Sequence, residues 1–75
     1  MTHIFTSYIE YDAESNLYIG MVPSIPGAHT QGKTLDEVQQ NLKEAVTLCL
    51  QEMDAEDKKL IPKFVATTQM EIDVD

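Results

Sequence analysis

Residues 34–54 carry a single amphipathic pattern that leaves few folds open to this chain. It begins with "TLDE" at 34–37, a capping box: the Thr34 hydroxyl can accept the Glu37 backbone N–H, and the Glu37 side chain can reach back. Asp36 and Glu37 also sit at the positive end of the helix dipole. Leu35, Val38, Leu42, Ala45, Val46, Cys49, Leu50 and Met53 then recur at spacings of three and four. That is one apolar stripe on one helix, with Gln39, Gln40, Lys43, Glu44, Gln51 and Glu52 mostly on the wet face. A lone amphipathic helix must bury its stripe against something else in the chain.

The rest of the chain supplies short alternating segments, so the partner is a sheet. "HIFTSYIEY" at 3–11 alternates Ile4, Thr6 and Tyr8 with Phe5, Ser7, Ile9 and Tyr11, which reads as a strand. Both of its faces carry apolar groups, which places it centrally in its sheet. "DAESN" at 12–16 is a polar turn, and "LYIGMV" at 17–22 is the second strand of an antiparallel hairpin. Gly20 within it marks a bulge or a close approach by another side chain. In "PSIPG" at 23–27, Pro26 and Gly27 suit the central positions of a type II turn. "AHTQG" at 28–32 is a short third strand near an edge. After the helix, "DAEDKK" at 54–59 reads as a charged loop, and Ile61–Pro62 ends any helical continuation. "FVATTQMEIDV" at 64–74 alternates again: Phe64, Ala66, Thr68, Met70, Ile72 and Val74 face one way, and Val65, Thr67, Gln69, Glu71 and Asp73 the other. This predicts a one-sided strand returning to the sheet. The expected fold is a two-layer α+β domain over 1–75, ordered β-β-β-α-β, with one helix across a three-stranded meander and a returning strand.

A chain of 75 residues has room for one core and a thin stability margin, which self-association would widen. Hydrophobic residues make up 43%, enough to fold. The net charge is −8, from 13 acidic and 5 basic residues, which opposes binding to phosphate backbones. The same charge attracts a basic partner or simply keeps a small domain soluble, and charge alone weighs these two readings equally. One cysteine, Cys49, forms no internal disulfide. The N-terminus lacks the pattern of a signal peptide, and no stretch approaches a membrane span. The cytoplasm is the expected compartment.

The candidate chemistry is sparse. Glu10 and Asp12 share one strand face, as do Glu71 and Asp73, but the helix stripe carries no acid to complete a two-metal site. Such pairs are more often surface charge than metal ligands. His3 and His29 have no zinc-type spacing around them, and a solvated histidine is the commoner explanation for His29. Cys49 lies on the apolar stripe, where a thiol packs as a small hydrophobe. Gly20, Gly27 and Gly32 form no phosphate loop. Met21, Met53 and Met70 read as core fillers. Two of Tyr8, Tyr11 and Tyr18 are expected to pack in the core, with the role of the third left open. No catalytic residue, metal or cofactor is expected.

Taken together, Tyr11-Asp12, Tyr18, Val22-Pro23-Ser24-Ile25-Pro26-Gly27, Thr30-Gln31-Gly32, Thr34-Leu35-Asp36-Glu37 and Glu44-Ala45 occur in an order and spacing that resemble the N-terminal domain of the HicB family of bacterial antitoxins. The likeness runs through residues 9–46 and extends over Ile61-Pro62 and the last strand. Ala28 stands where many members have Cys, and Val38 where many have Ala; both read as packing variation. The resemblance implies a partial RNase H-like fold without nuclease carboxylates. It implies neutralisation of a small basic HicA-like ribonuclease toxin, and assembly into homodimers or higher homo-oligomers. Many members continue into a DNA-binding domain; with this sequence ending at Asp75, no direct nucleic-acid binding is expected. The partner-facing residues are expected to be the acids Glu10, Asp12, Glu14, Glu71 and Asp73. Two rival readings stand beside this one. A stand-alone homo-oligomeric binding module would lack an adjacent small basic reading frame. An RNase H-like nuclease would show magnesium- or manganese-dependent RNA cleavage lost in Asp12→Asn.

Overall fold

A computed structural model describes residues 3–75. Three strands, β1 (Tyr8–Asp12), β2 (Leu17–Met21) and β3 (His29–Gly32), form an antiparallel sheet in the order β1-β2-β3. Helix α1 (Leu35–Glu52) packs across it, chiefly on β3 and then β2, and a short helix α2 (Ala55–Lys59) follows. The α+β class, the meander and the helix on one face of the sheet are as the sequence predicts.

Local chemistry sets each boundary. Thr34 caps α1, its Oγ1 accepting the Glu37 N–H at 3.0 Å. The β1–β2 turn is closed by the Asn16 N–H donating to the Asp12 carbonyl at 2.8 Å, with Asn16 in the left-handed region at φ 58°. Asparagine tolerates that conformation better than most residues. After β2 the chain makes two successive tight turns: the Ile25 N–H donates to the Val22 carbonyl at 3.0 Å, and the Ala28 N–H to the Ile25 carbonyl at 3.1 Å. Gly27, at φ 85°, takes the position of the expected type II turn that needs positive φ. These turns push Ile25 inward, so Val22, Ile25, Ala28 and Leu42 form the core cluster, with Phe5, Ile9, Val46, Cys49, Leu50, Met53 and Ile61 packed around it.

Gly20 accommodates a close approach, and the β1–β2 register runs through it without a bulge. A Cβ at Gly20 would stand 2.7 Å from Leu42 Cδ1, and one at Gly32 would stand 2.7 Å from the Val38 backbone nitrogen. Absent side chains on β2 and β3 are what let α1 lie down on the sheet, with Val38 fully buried between the layers.

Four expectations need correction. First, the strand expected over 64–74 is not in the sheet: those residues are unpaired and exposed. Val65, Met70 and Val74 are 89%, 78% and 81% exposed. Alternation encodes a strand, but a strand forms only where an edge lies within reach to pair its backbone groups. Second, β1 is therefore an edge strand, not a central one. Residues 3–7 fall outside the ladder because Tyr8 already pairs with the last residue of β2, Met21, before the chain turns at Pro23. Third, 54–59 is not a plain loop: Asp54 Oδ1 accepts the Asp57 N–H at 2.8 Å and caps α2. Fourth, Tyr8 and Tyr11 are both exposed, and only Tyr18 is partly buried.

The unpaired segment gives the chain an open shape. Its radius of gyration is 14.4 Å, against about 11 Å for a compact chain of this length. Its accessible surface is 6561 Å², against about 4600 Å² for a compact monomer of this mass, an excess of roughly 1900 Å².

Candidate functional site

One helix covers one face of the sheet, so the other face is open. Gly20 and Gly32 point at α1, and strand alternation puts their neighbours on the far side. That side holds two cross-strand rows: Tyr8, Met21 and His29, then Glu10, Ile19 and Gln31. Tyr8, Ile19 and Met21 are all exposed there. The sequence reading had Met21 in the core and missed this patch. The available signal was that a single helix leaves one sheet face uncovered.

The acids Glu10, Asp12 and Glu14 lie along β1 and its turn, at one end of this face. Their roles differ. Asp12 is spent on the turn: Oδ2 accepts the Ser15 hydroxyl at 2.8 Å, and Oδ1 accepts the Glu14 N–H at 3.3 Å. The Ser15 hydroxyl, and then the Glu14 N–H, hold its carboxyl below the usual carboxylate range. Glu10 and Glu14 are exposed. Beside them Tyr11 donates to Asn16 Oδ1 at 3.0 Å and packs edge-to-face on Tyr18, ring centroids 5.1 Å apart, which stiffens the hairpin end. Glu71 and Asp73 are exposed in the separate C-terminal segment. Thus three of the five expected acids share the hairpin end, one of them structural, and two lie on the unpaired segment.

This arrangement offers hydrogen-bond acceptors and apolar surface. Among the described residues no group of three or more His, Cys, Asp or Glu could hold a metal ion. Cys49 is partly buried, its Sγ 3.8 Å from the Pro26 carbonyl oxygen. No helix among the described residues is long and apolar enough to cross a membrane. An exposed apolar patch with carboxylates at one end suits a protein partner that presents apolar surface beside Lys or Arg.

Comparison with known proteins agrees with this character. Residues 5–74 match a family model described as a HicB-like antitoxin of bacterial toxin–antitoxin systems. A UPF0150 protein of Thermotoga maritima is 49% identical over 70 residues, spanning 93% of this chain and 91% of its own. UPF0150 proteins of Archaeoglobus fulgidus and Synechocystis are 45% identical over 58 residues (76% of this chain, 83% of theirs) and 44% identical over 52 residues (69% and 74%). No solved structure matches the chain.

Proposed function

The chain belongs to the HicB-like antitoxin family, and from that premise we propose that it binds and neutralises a small basic HicA-like ribonuclease toxin by covering the toxin's active site. The single observation that carries this reading is the family match over residues 5–74. The physics supports it. A ribonuclease that grips RNA presents Lys and Arg, and a chain at −8 is their electrostatic complement. Glu10 and Glu14, exposed at the end of the open sheet face, are the hairpin acids free to meet them, with Tyr8, Ile19 and Met21 as the apolar contact. The role is inhibitory binding, and no catalytic residue is assigned.

The test is co-expression with a small basic protein encoded beside this chain. Growth arrest by that protein should be relieved, the two should co-purify, and added chain should suppress its RNA cleavage. Glu10→Gln with Glu14→Gln should weaken the complex, and so should raising the salt, because exposed charge pairs are screened. If the neighbouring basic protein neither binds nor is inhibited, the reading fails. If binding is indifferent to salt and to these substitutions, the charge argument fails.

A further inference from the structure

We propose that residues 64–74 form a strand that docks along the free edge of β1 in a second copy of this chain, and that two copies exchange these strands reciprocally. The chain carries both halves of an unmade contact. One half is the C-terminal segment, which alternates as a one-sided strand yet leaves Phe64, Met70, Ile72 and Val74 exposed. The other half is β1. The segment 4–11 that runs into and through it carries apolar side chains on both faces, Ile4 and Tyr8 on one and Phe5, Ile9 and Tyr11 on the other. That is the pattern of an interior strand, yet β1 lies at the edge of the sheet with unpaired backbone groups.

The space beside the residues leading into β1 suits a strand with one apolar face. Because α1 lies chiefly over β3 and β2, a groove of about 1000 Å³ stays open between α1 and the residues leading into β1. Ile4, Phe5, Val22, Leu42, Val46 and Leu50 are among its lining residues. A strand pairing with β1 would complete the ladder and set its apolar side chains into this groove, with Gln69, Glu71 and Asp73 turned to water.

A second copy is the occupant the observations favour. The segment starts beside the same residues, as Pro62, Lys63 and Phe64 share a smaller cavity with His3, Ile4 and Phe5. Beyond that point it departs from its own sheet. A second copy presents the identical free edge, and a two-fold arrangement satisfies both edges and both strands in one closed assembly. The roughly 1900 Å² of surface this chain exposes beyond a compact monomer exceeds the about 800 Å² per partner that a standard stable interface buries.

The experiment uses the full chain without any toxin, so its failure leaves the antitoxin reading standing. Sedimentation equilibrium should give a dimer. The dimer should tighten as salt rises, since two chains at −8 repel and salt screens that repulsion, whereas binding of a basic toxin should weaken. In an equimolar mixture of isotope-labelled and unlabelled chains, filtered NMR should find the Met70, Ile72 and Val74 methyls against Phe5 and Ile9 of the other copy. Met70→Lys should raise the dissociation constant by about tenfold or more, while Gln69→Ala should leave it within about twofold. A chain monomeric at millimolar concentration overturns the proposal. So do contacts from 64–74 only within one chain, or a dimer whose 64–74 amides exchange freely with solvent.

Discussion

Gly20 on β2 faces Leu42 on α1 so closely that a Cβ at Gly20 would lie 2.7 Å from Leu42 Cδ1. Gly32 is tighter in kind, because its virtual Cβ meets the Val38 backbone nitrogen at 2.7 Å. A leucine terminus can rotate away, whereas a backbone amide moves only with its helix. Gly20→Ala should cost about 1–3 kcal/mol, the usual range for overpacking. Gly32→Ala should cost more, since it must shift the first turns of α1 off the sheet. Urea unfolding followed by circular dichroism checks the order. Equal stability of Gly32→Ala and the parent would mean that the layers are not in contact there.

The helix stripe makes a second contrast. Leu42 is 4% exposed in the core, while Leu48 is 61% exposed on the same helix. Leu42→Ala should cost about 2–5 kcal/mol. A domain of this size has total stability near the low end of about 5–15 kcal/mol, so the variant should keep only a small margin and melt well below the parent. Leu48→Ala should shift stability by no more than about 0.5 kcal/mol. The readout is the thermal midpoint of each variant, and similar losses in both would contradict the placement of the stripe.

These contrasts also mark what the sequence made legible. The capping box and the three-and-four spacing located α1 because both depend only on neighbours along the chain. The Pro26-Gly27 turn was legible because one residue pair determines it. That 64–74 stays out of the chain's own sheet was not legible, since alternation states that a segment can pair and not whether an edge lies within its reach. The apolar row of Tyr8, Ile19 and Met21 was missed for a related reason. Apolar content marks both a core and an interface, and only the position of the single helix separates them. Of the expected acids, Asp12 proved to serve its own turn. Its placement three residues before Ser15 was visible, but that spacing is equally common in surface acids.

Gly27 tests the turn directly. A Cβ there would meet only Cys49 Sγ, at 3.9 Å, an ordinary contact, so space is not the obstacle. The φ of 85° is. Gly27→Ala should therefore lose about 1–2 kcal/mol from the left-handed backbone alone. Gly27→Asn should lose less, because asparagine visits that region more readily. Chemical denaturation of both variants gives the comparison. Alanine matching asparagine would show that the loss arises from packing against Cys49 instead of from φ.

Asp12 links the hairpin end to pH. Hydrogen bonds from Ser15 and from the Glu14 N–H favour its ionised form, so its folded pKa lies below the unfolded value. Its contribution is then complete above the ordinary carboxylate range and fades as pH falls through the lowered folded value. NMR titration of the Asp12 carboxyl carbon should give a midpoint below the ordinary aspartate value. Ser15→Ala removes the larger cause and should move the midpoint back up. Asp12→Asn should make the hairpin's stability less sensitive to pH in the acid range, with the Asn16 and Glu14 amides as reporters. A midpoint at or above the usual carboxylate value would mean that the carboxylate does not hold this turn. Asp12 would then rejoin Glu10 and Glu14 as an acid free to meet a partner.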